Sequence, residues 1–143
     1  MLYACMSYVL HDHRGLTSAF KSIIGVLTGD TASPVLWNIY FAQLGDWLDD
    51  DPVDITLFHC VVSHVEQADD VALFSTSFPS LQQKLDGFLH WCDVSSMSIS
   101  AQKSKWMIMG PCSMAQQHLS VRGEQIELVC EYKYVGIWFT STA

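Results

Sequence analysis

Leu81, Leu85, Phe88, Leu89 and Cys92 stand at i, i+4, i+7, i+8 and i+11, a spacing that an α-helix gathers onto one face and a strand scatters over two. Ser77-Phe78-Pro79-Ser80, just ahead, supplies a start. A serine side chain accepts from the free amides of the first turn, and proline there gives up an N–H that has no intrahelical partner. An apolar helical face must lie on something, and the flanking sequence offers strands.

Ile55 to Val65 is rich in β-branched and aromatic residues, and Val71 to Phe74 is a second short apolar run. Between them Glu66-Gln67-Ala68-Asp69-Asp70 reads as a polar turn, so the segment is predicted to be a β-hairpin with Asp69 and Asp70 near its tip. After the helix, Lys105 to Met109 and Leu119 to Val121 read as strands. Arg122-Gly123 reads as a turn toward Ile126 to Val129, and Tyr132 to Phe139 as a final strand. Ahead of the hairpin, Thr28 to Pro34 is a loop of small and polar residues, and Ser33-Pro34 reads as an N-cap followed by proline. Val35, Leu36, Ile39, Tyr40 and Leu44 then form a stripe of helical period, and this helix is predicted to run to about Leu48, where aspartates and Pro52 end it. The expected class is α+β, an antiparallel sheet with helices packed on one face.

Half of the 143 residues are apolar and 15% are charged, a globular composition sufficient for one domain. No stretch approaches the roughly 20 apolar residues of a membrane-spanning helix. Met1 to Leu10 has no basic residue ahead of it and no cleavage-like site after it, so an intracellular chain without membrane contact is expected. The five cysteines (Cys5, Cys60, Cys92, Cys112, Cys130) are odd in number, widely spaced and never C-x-x-C, which points to reduced thiols. His11-Asp12-His13 is either a metal pair or a solvated polar turn, and the turn is the plainer reading. The net charge of −8, with only seven Lys and Arg, argues against free-standing nucleic-acid binding. Asp46, Asp49, Asp50, Asp51 and Asp54 crowd together and read as a solvated acidic loop.

Asp69-Asp70 carries the most chemistry. Adjacent carboxylates on a strand point to opposite faces, so only a turn lets both serve one site. Hard divalent cations take oxygen ligands, typically one or two carboxylates with substrate phosphates, and paired cations promote phosphoryl transfer. Alone the pair is weak, because Asp-Asp is common at turns.

Order and spacing add to it. Gly25-Val26-Leu27-Thr28-Gly29-Asp30-Thr31-Ala32-Ser33-Pro34-Val35-Leu36-Trp37-Asn38 resembles the Gly-Val-x-Gln-Gly-x-x-x-Ser-Pro-x-Leu-Phe-Asn motif of reverse transcriptases. Gln67-Ala68-Asp69-Asp70 resembles their Tyr/Phe-Ala-Asp-Asp hairpin. Leu81 to Cys92, with Trp91-Cys92, is similar to their Leu-Gln…Trp-Cys helix. Ser100-Ala101-Gln102-Lys103-Ser104 resembles the Asn-x-x-Lys-Thr/Ser segment of the non-LTR (LINE-type) members, and Tyr132-Lys133-Tyr134-Val135-Gly136 their Tyr-Lys-Tyr-Leu-Gly strand. The ordered set covers Gly25 to Phe139.

The resemblance implies a polymerase palm, incomplete at its N-terminal edge, with residues 1–24 as lead-in and 25–143 as palm. It implies Mg²⁺, with Mn²⁺ as substitute, held by Asp69 and Asp70, and an RNA template and DNA primer as partners of the full-length enzyme. Gly29, Ser33 and Pro34 would shape the nucleotide and template floor, Gly29 being otherwise a plain loop glycine. Lys103 would protonate the leaving pyrophosphate, and is otherwise a surface lysine entering a strand. Tyr134 and Gly136 would lie on the primer-contacting strand. As residues, Tyr134 reads as core, Gly136 as a close approach or bulge, and Trp91 and Trp106 as core or rim aromatics.

Departures matter too. Thr28 stands in place of Gln, Trp37 of Phe, Gln67 of an aromatic and Ser100 of Asn. The family's other catalytic aspartate, in a Phe-x-Asp-x-x-x-Ala-Phe-Asp-like strand, is not found ahead of Gly25, where Asp12 is the lone aspartate. Fingers, thumb and any endonuclease domain are likewise unseen, which accounts for the acidic balance. The expectation is a reverse transcriptase fragment, inactive alone and weak or silent toward nucleic acid. The alternatives are a domesticated interaction module that keeps the palm surface and, more remotely, an unrelated acidic metal-binding protein.

Overall fold

The computed structural model describes residues 7–21, 25–27, 29–48, 54–110 and 117–141. Cys5, Cys112, Thr28, Pro52 and the middle of the acidic run (Asp49, Asp50, Asp51) lie outside the described residues. The class is α+β, and the chain divides into two compact units, Met1–Ala42 and Gln43–Ala143.

In the first unit, strands β1 (Ser7–Tyr8), β2 (His11–Asp12), β3 (Gly15–Leu16) and β4 (Phe20–Lys21) make nested antiparallel pairs, β2 with β3 inside β1 with β4. Tyr8 stacks on Phe20 at 5.8 Å. The turn of the inner pair is polar and exposed: Asp12 Oδ1 accepts from the Arg14 amide at 2.7 Å, and Arg14 Nε donates to His13 Nε2 at 3.3 Å. Helix α1 (Ser33–Phe41) follows. Ser33 is not the cap; that position is Ala32, and the serine hydroxyl instead donates back to the Leu27 carbonyl at 2.7 Å. The helix also stops short of Leu48. A separate 3-10 turn, Leu44–Trp47, opens the second unit. Val35, Ile39 and Tyr40 are exposed while Ser33 and Phe41 are buried. Nearly every position of this helix is apolar, so periodicity alone does not choose its buried face.

The second unit is built on helix α2. Its strands are β5 (Ile55–Leu57), β6 (Cys60–Val62), β7 (His64–Gln67) and β8 (Asp70–Leu73) before the helix (Phe78–Val94). After it come β9 (Lys105–Trp106), β10 (Ser120–Val121), β11 (Glu124–Gln125), β12 (Glu127–Leu128), β13 (Glu131–Tyr134) and β14 (Ile137–Thr140). Among the described residues these pair two by two, all antiparallel except β9 with β12. Ile55 to Val65 is therefore not one strand: it folds on itself at Phe58-His59, both at positive φ. Tyr132 to Phe139 is likewise a hairpin, turning at Val135-Gly136, again both at positive φ. Two successive positive-φ residues give the type I′ turn, whose twist matches that of the strands it joins. A Cβ at Gly136 would meet nothing within 4 Å, so the glycine serves this turn and not a close approach. Arg122-Gly123 turns as expected, but into Glu124–Gln125; Ile126 adds one more bond, its amide donating to Leu119 O at 2.9 Å.

Ser77 caps α2, its side chain accepting from the Ser80 amide at 3.3 Å. The helix ends with Ser96 at positive φ and the Met97 amide donating to Cys92 O at 2.8 Å, a Schellman-type end made without glycine. Its apolar face meets the core: Leu85, Trp106, Leu119, Val121 and Ile126 are buried together, with Leu73, Phe78, Leu81, Leu89, Ile99 and Ile108 packed around them. Trp91 and Trp106 are both buried, so both belong to the interior. Gln82 pins the helix to β10 through paired bonds with the Ser120 backbone, N–H and C=O each at 3.2 Å. The 3-10 turn lies against the other side, where a Cβ at Gly87 would stand 2.7 Å from Trp47 O. No helix of the described residues is long and apolar enough to cross a membrane.

Candidate cation and nucleotide site

The β7–β8 ladder pairs Gln67 with Asp70, which leaves Ala68-Asp69 as a two-residue turn. The turn is shorter than the polar composition of residues 66–70 suggests, because Glu66, Gln67 and Asp70 all join the ladder. Ala68 takes φ +54, a conformation that costs a non-glycine residue free energy. Asp69 thus sits in the turn and Asp70 opens β8, both exposed. The aspartates stand at the tip of an antiparallel hairpin, as expected.

Two other elements hold that hairpin. From β13, the Tyr134 hydroxyl lies 3.2 Å from Asp70 O and 3.3 Å from Val65 O, and donates to these carbonyls. Tyr134 is half-buried, and its phenol is pushed above its ordinary pKa first by burial, then by the charges of Asp70 and Glu66 and by Tyr132. From α2, Lys84 donates to Asp54 and, at 2.9 Å, to Phe74 O, the first residue after β8. Asp54 is buried and ion-paired, and does not belong to a solvated loop. Sequence reading missed both partners. The available signal was Lys84 itself, which falls between Leu81 and Leu85 on the face that α2 buries.

Lys103 lies in the turn ahead of β9, exposed, its amide donating to Ser100 O at 3.2 Å. It forms no hydrogen bond or ion pair with Asp69 or Asp70 among the described residues. Gly29, Ser33 and Pro34 belong to the first unit. There the Leu27 carbonyl accepts from the Asp30 amide at 3.3 Å and from the Ser33 hydroxyl, and Asp30 O accepts from the Ser33 amide at 3.3 Å. This folds the loop tightly ahead of α1. Gly29 has φ +86, and a Cβ there would meet nothing within 4 Å, so a turn conformation, not crowding, calls for glycine. Gly136 is in the β13–β14 turn, and Lys133 Nζ lies 5.9 Å from the Trp138 ring on that hairpin.

The donor chemistry of Asp69 and Asp70, hard carboxylate oxygens, suits Mg²⁺ or Mn²⁺. Among the described residues no group of three or more His, Cys, Asp or Glu side chains is placed to hold a metal ion.

The family model for reverse transcriptase (RNA-dependent DNA polymerase) matches residues 4–139, and the chain belongs to that family. The match takes in most of the segment ahead of Gly25. Members copy RNA templates into DNA and generally use divalent metal ions. No curated protein matches the chain.

Proposed function

We propose that this chain carries the cation-binding hairpin and part of the nucleotide floor of a non-LTR, LINE-type retrotransposon reverse transcriptase, working inside the cell. The observation that carries the reading is the Ala68-Asp69 turn with Asp70 beside it, which presents two carboxylates at one exposed tip. In the reaction a primer 3′-hydroxyl attacks the α-phosphate of a deoxynucleotide and pyrophosphate leaves. Asp69 and Asp70 would hold Mg²⁺ or Mn²⁺, which supplies positive charge where negative charge develops on the transferring phosphoryl. Lys103 would give a proton to the pyrophosphate. The loop of Gly29, Ser33 and Pro34 would support nucleotide and template, and the hairpin of Tyr134 and Gly136 would face the primer.

The 143-residue polypeptide is expected to be inactive alone and to bind nucleic acid weakly. Asp12, the lone aspartate ahead of Gly25, is engaged in a surface turn, and the net charge of −8 opposes phosphate binding. Primer extension on an RNA template with Mg²⁺ or Mn²⁺ tests this. No incorporation above background is expected; incorporation abolished by Asp69→Asn would show the chain to be a complete catalyst. Tight binding of a partner protein by a chain that fails to bind cation at Asp69 and Asp70 would favour the domesticated interaction module.

A further inference from the structure

The double hairpin that carries Asp69 and Asp70 leaves α2 at one end and returns to it at the other. Asp54 stands directly ahead of β5, and Phe74 directly behind β8. One ammonium meets both ends: Lys84 Nζ donates to the Asp54 carboxylate and to the Phe74 carbonyl. The two side chains are only 2% and 1% exposed. The Phe74 amide in turn donates to Ser63 O at 2.8 Å, where the two hairpins join.

Tyr134 tethers the β7–β8 strands and Leu73 packs on the core, but at the ends of the double hairpin Lys84 is the charged anchor. Leu57, Phe58, Val61 and Val65 are exposed, and isolated two-stranded hairpins are marginal in water. A buried ion pair is also a poor general stabiliser, since desolvation offsets most of the attraction, and well-packed apolar side chains serve stability at least as well. What the pair adds is direction: a charged donor aimed at one carboxylate and one carbonyl.

We propose that Lys84 is a positioning residue, a clasp that fixes both ends of the double hairpin against α2 and so sets where the Asp69–Asp70 tip stands. The role rests on reading those aspartates as cation ligands; Lys84 itself bonds to neither.

The test compares amide hydrogen exchange in the 143-residue chain, read residue by residue by NMR, with Mn²⁺ broadening of the Asp70 amide. In Lys84→Met, protection in β5 to β8 should fall roughly tenfold or more, the loss of a charge-assisted hydrogen bond, while β10–β11 keeps its protection. The Mn²⁺ concentration needed for half-broadening should rise severalfold. Should Lys84→Met not fold, Asp54→Leu/Lys84→Met carries the test. It removes the stranded carboxylate, restores the fold, and should still leave the hairpins loose because Phe74 O has lost its donor. Native protection and native Mn²⁺ response in the double variant would overturn the proposal. So would equal loss of protection in β10–β11, which marks a global stabiliser. If Mn²⁺ leaves the Asp70 amide of the native chain untouched, the cation reading falls and the role named for Lys84 with it, while exchange still decides whether the clasp exists.

Discussion

The phenol of Tyr134 reaches the backbone carbonyl of Asp70 across 3.2 Å, so a residue of the β13–β14 hairpin holds the strand that carries one of the two aspartates. The same hydroxyl lies 3.3 Å from Val65 O on the other strand of that hairpin. The segment that resembles the family's primer-contacting strand is thus joined to the segment that resembles its cation-binding hairpin. Tyr134→Phe keeps the ring and removes the tether. It is expected to cost about 1 kcal/mol, the net worth of one hydrogen bond at a partly exposed site. Urea unfolding measures the loss; an unchanged midpoint would mean that the bond does not persist in solution.

Gly87 tests the packing of the 3-10 turn on α2. Alanine is the better helix former by up to about 1 kcal/mol. Its methyl would, however, stand 2.7 Å from the Trp47 carbonyl oxygen, which is backbone and yields little. The clash should win, and Gly87→Ala is expected to destabilise by about 1–3 kcal/mol, the usual cost of overpacking. A raised melting temperature would show that the two elements part without penalty.

Cys92 is buried, and its thiol is pushed up to about 11, by burial first and by Asp93 second, with Arg122 opposing. It should resist alkylation at pH 8 while exposed Cys60 and Cys130 react, because the thiolate is the reactive form. Mass spectrometry after brief labelling reports this directly. Cys92 and Tyr134 also act together on stability. Both bind their protons more tightly in the folded chain, so their contribution is complete below the unfolded values near 9 and 10 and is lost as pH rises through the folded ones. Denaturation midpoints should fall between pH 9 and 11. A midpoint flat across that window contradicts both shifts.

Ser33→Ala removes the hydroxyl that donates to Leu27 O, whose oxygen keeps the Asp30 amide as a second donor. The expected loss is modest, about 1 kcal/mol, and falls on the first unit. Exchange of the Asp30 and Ser33 amides should accelerate while α2 amides stay protected. Uniform acceleration in both units would rule out a local role.

Helix α2 and the acidic turn were legible in the sequence because their signals are local. Ser77 and Pro79 mark the start, the apolar positions mark the face, and Asp69 belongs to a short polar run between apolar ones. The break at Phe58-His59 is not legible in the sequence, since the pair lacks the glycine, asparagine or aspartate that marks a two-residue hairpin turn. Gly136 did carry a turn signal, but inside an aromatic run it read as a bulge. The Lys84–Asp54 pair joins residues thirty positions apart, and Asp54 is the last of five clustered aspartates, so composition pointed toward solvent. The exposed side of α1 was misjudged because apolar residues occur all around that helix.

The tip formed by Asp69 and Asp70 is proposed to bind divalent cation. Two carboxylates without substrate phosphates make a weak site, on the order of millimolar. Titrating Mn²⁺ into the chain and following paramagnetic broadening of its amides locates the ion. Broadening is expected to begin at Ala68, Asp69, Asp70 and Val71 and to disappear from them in Asp70→Asn. Broadening centred elsewhere, or unaffected by that substitution, would contradict it.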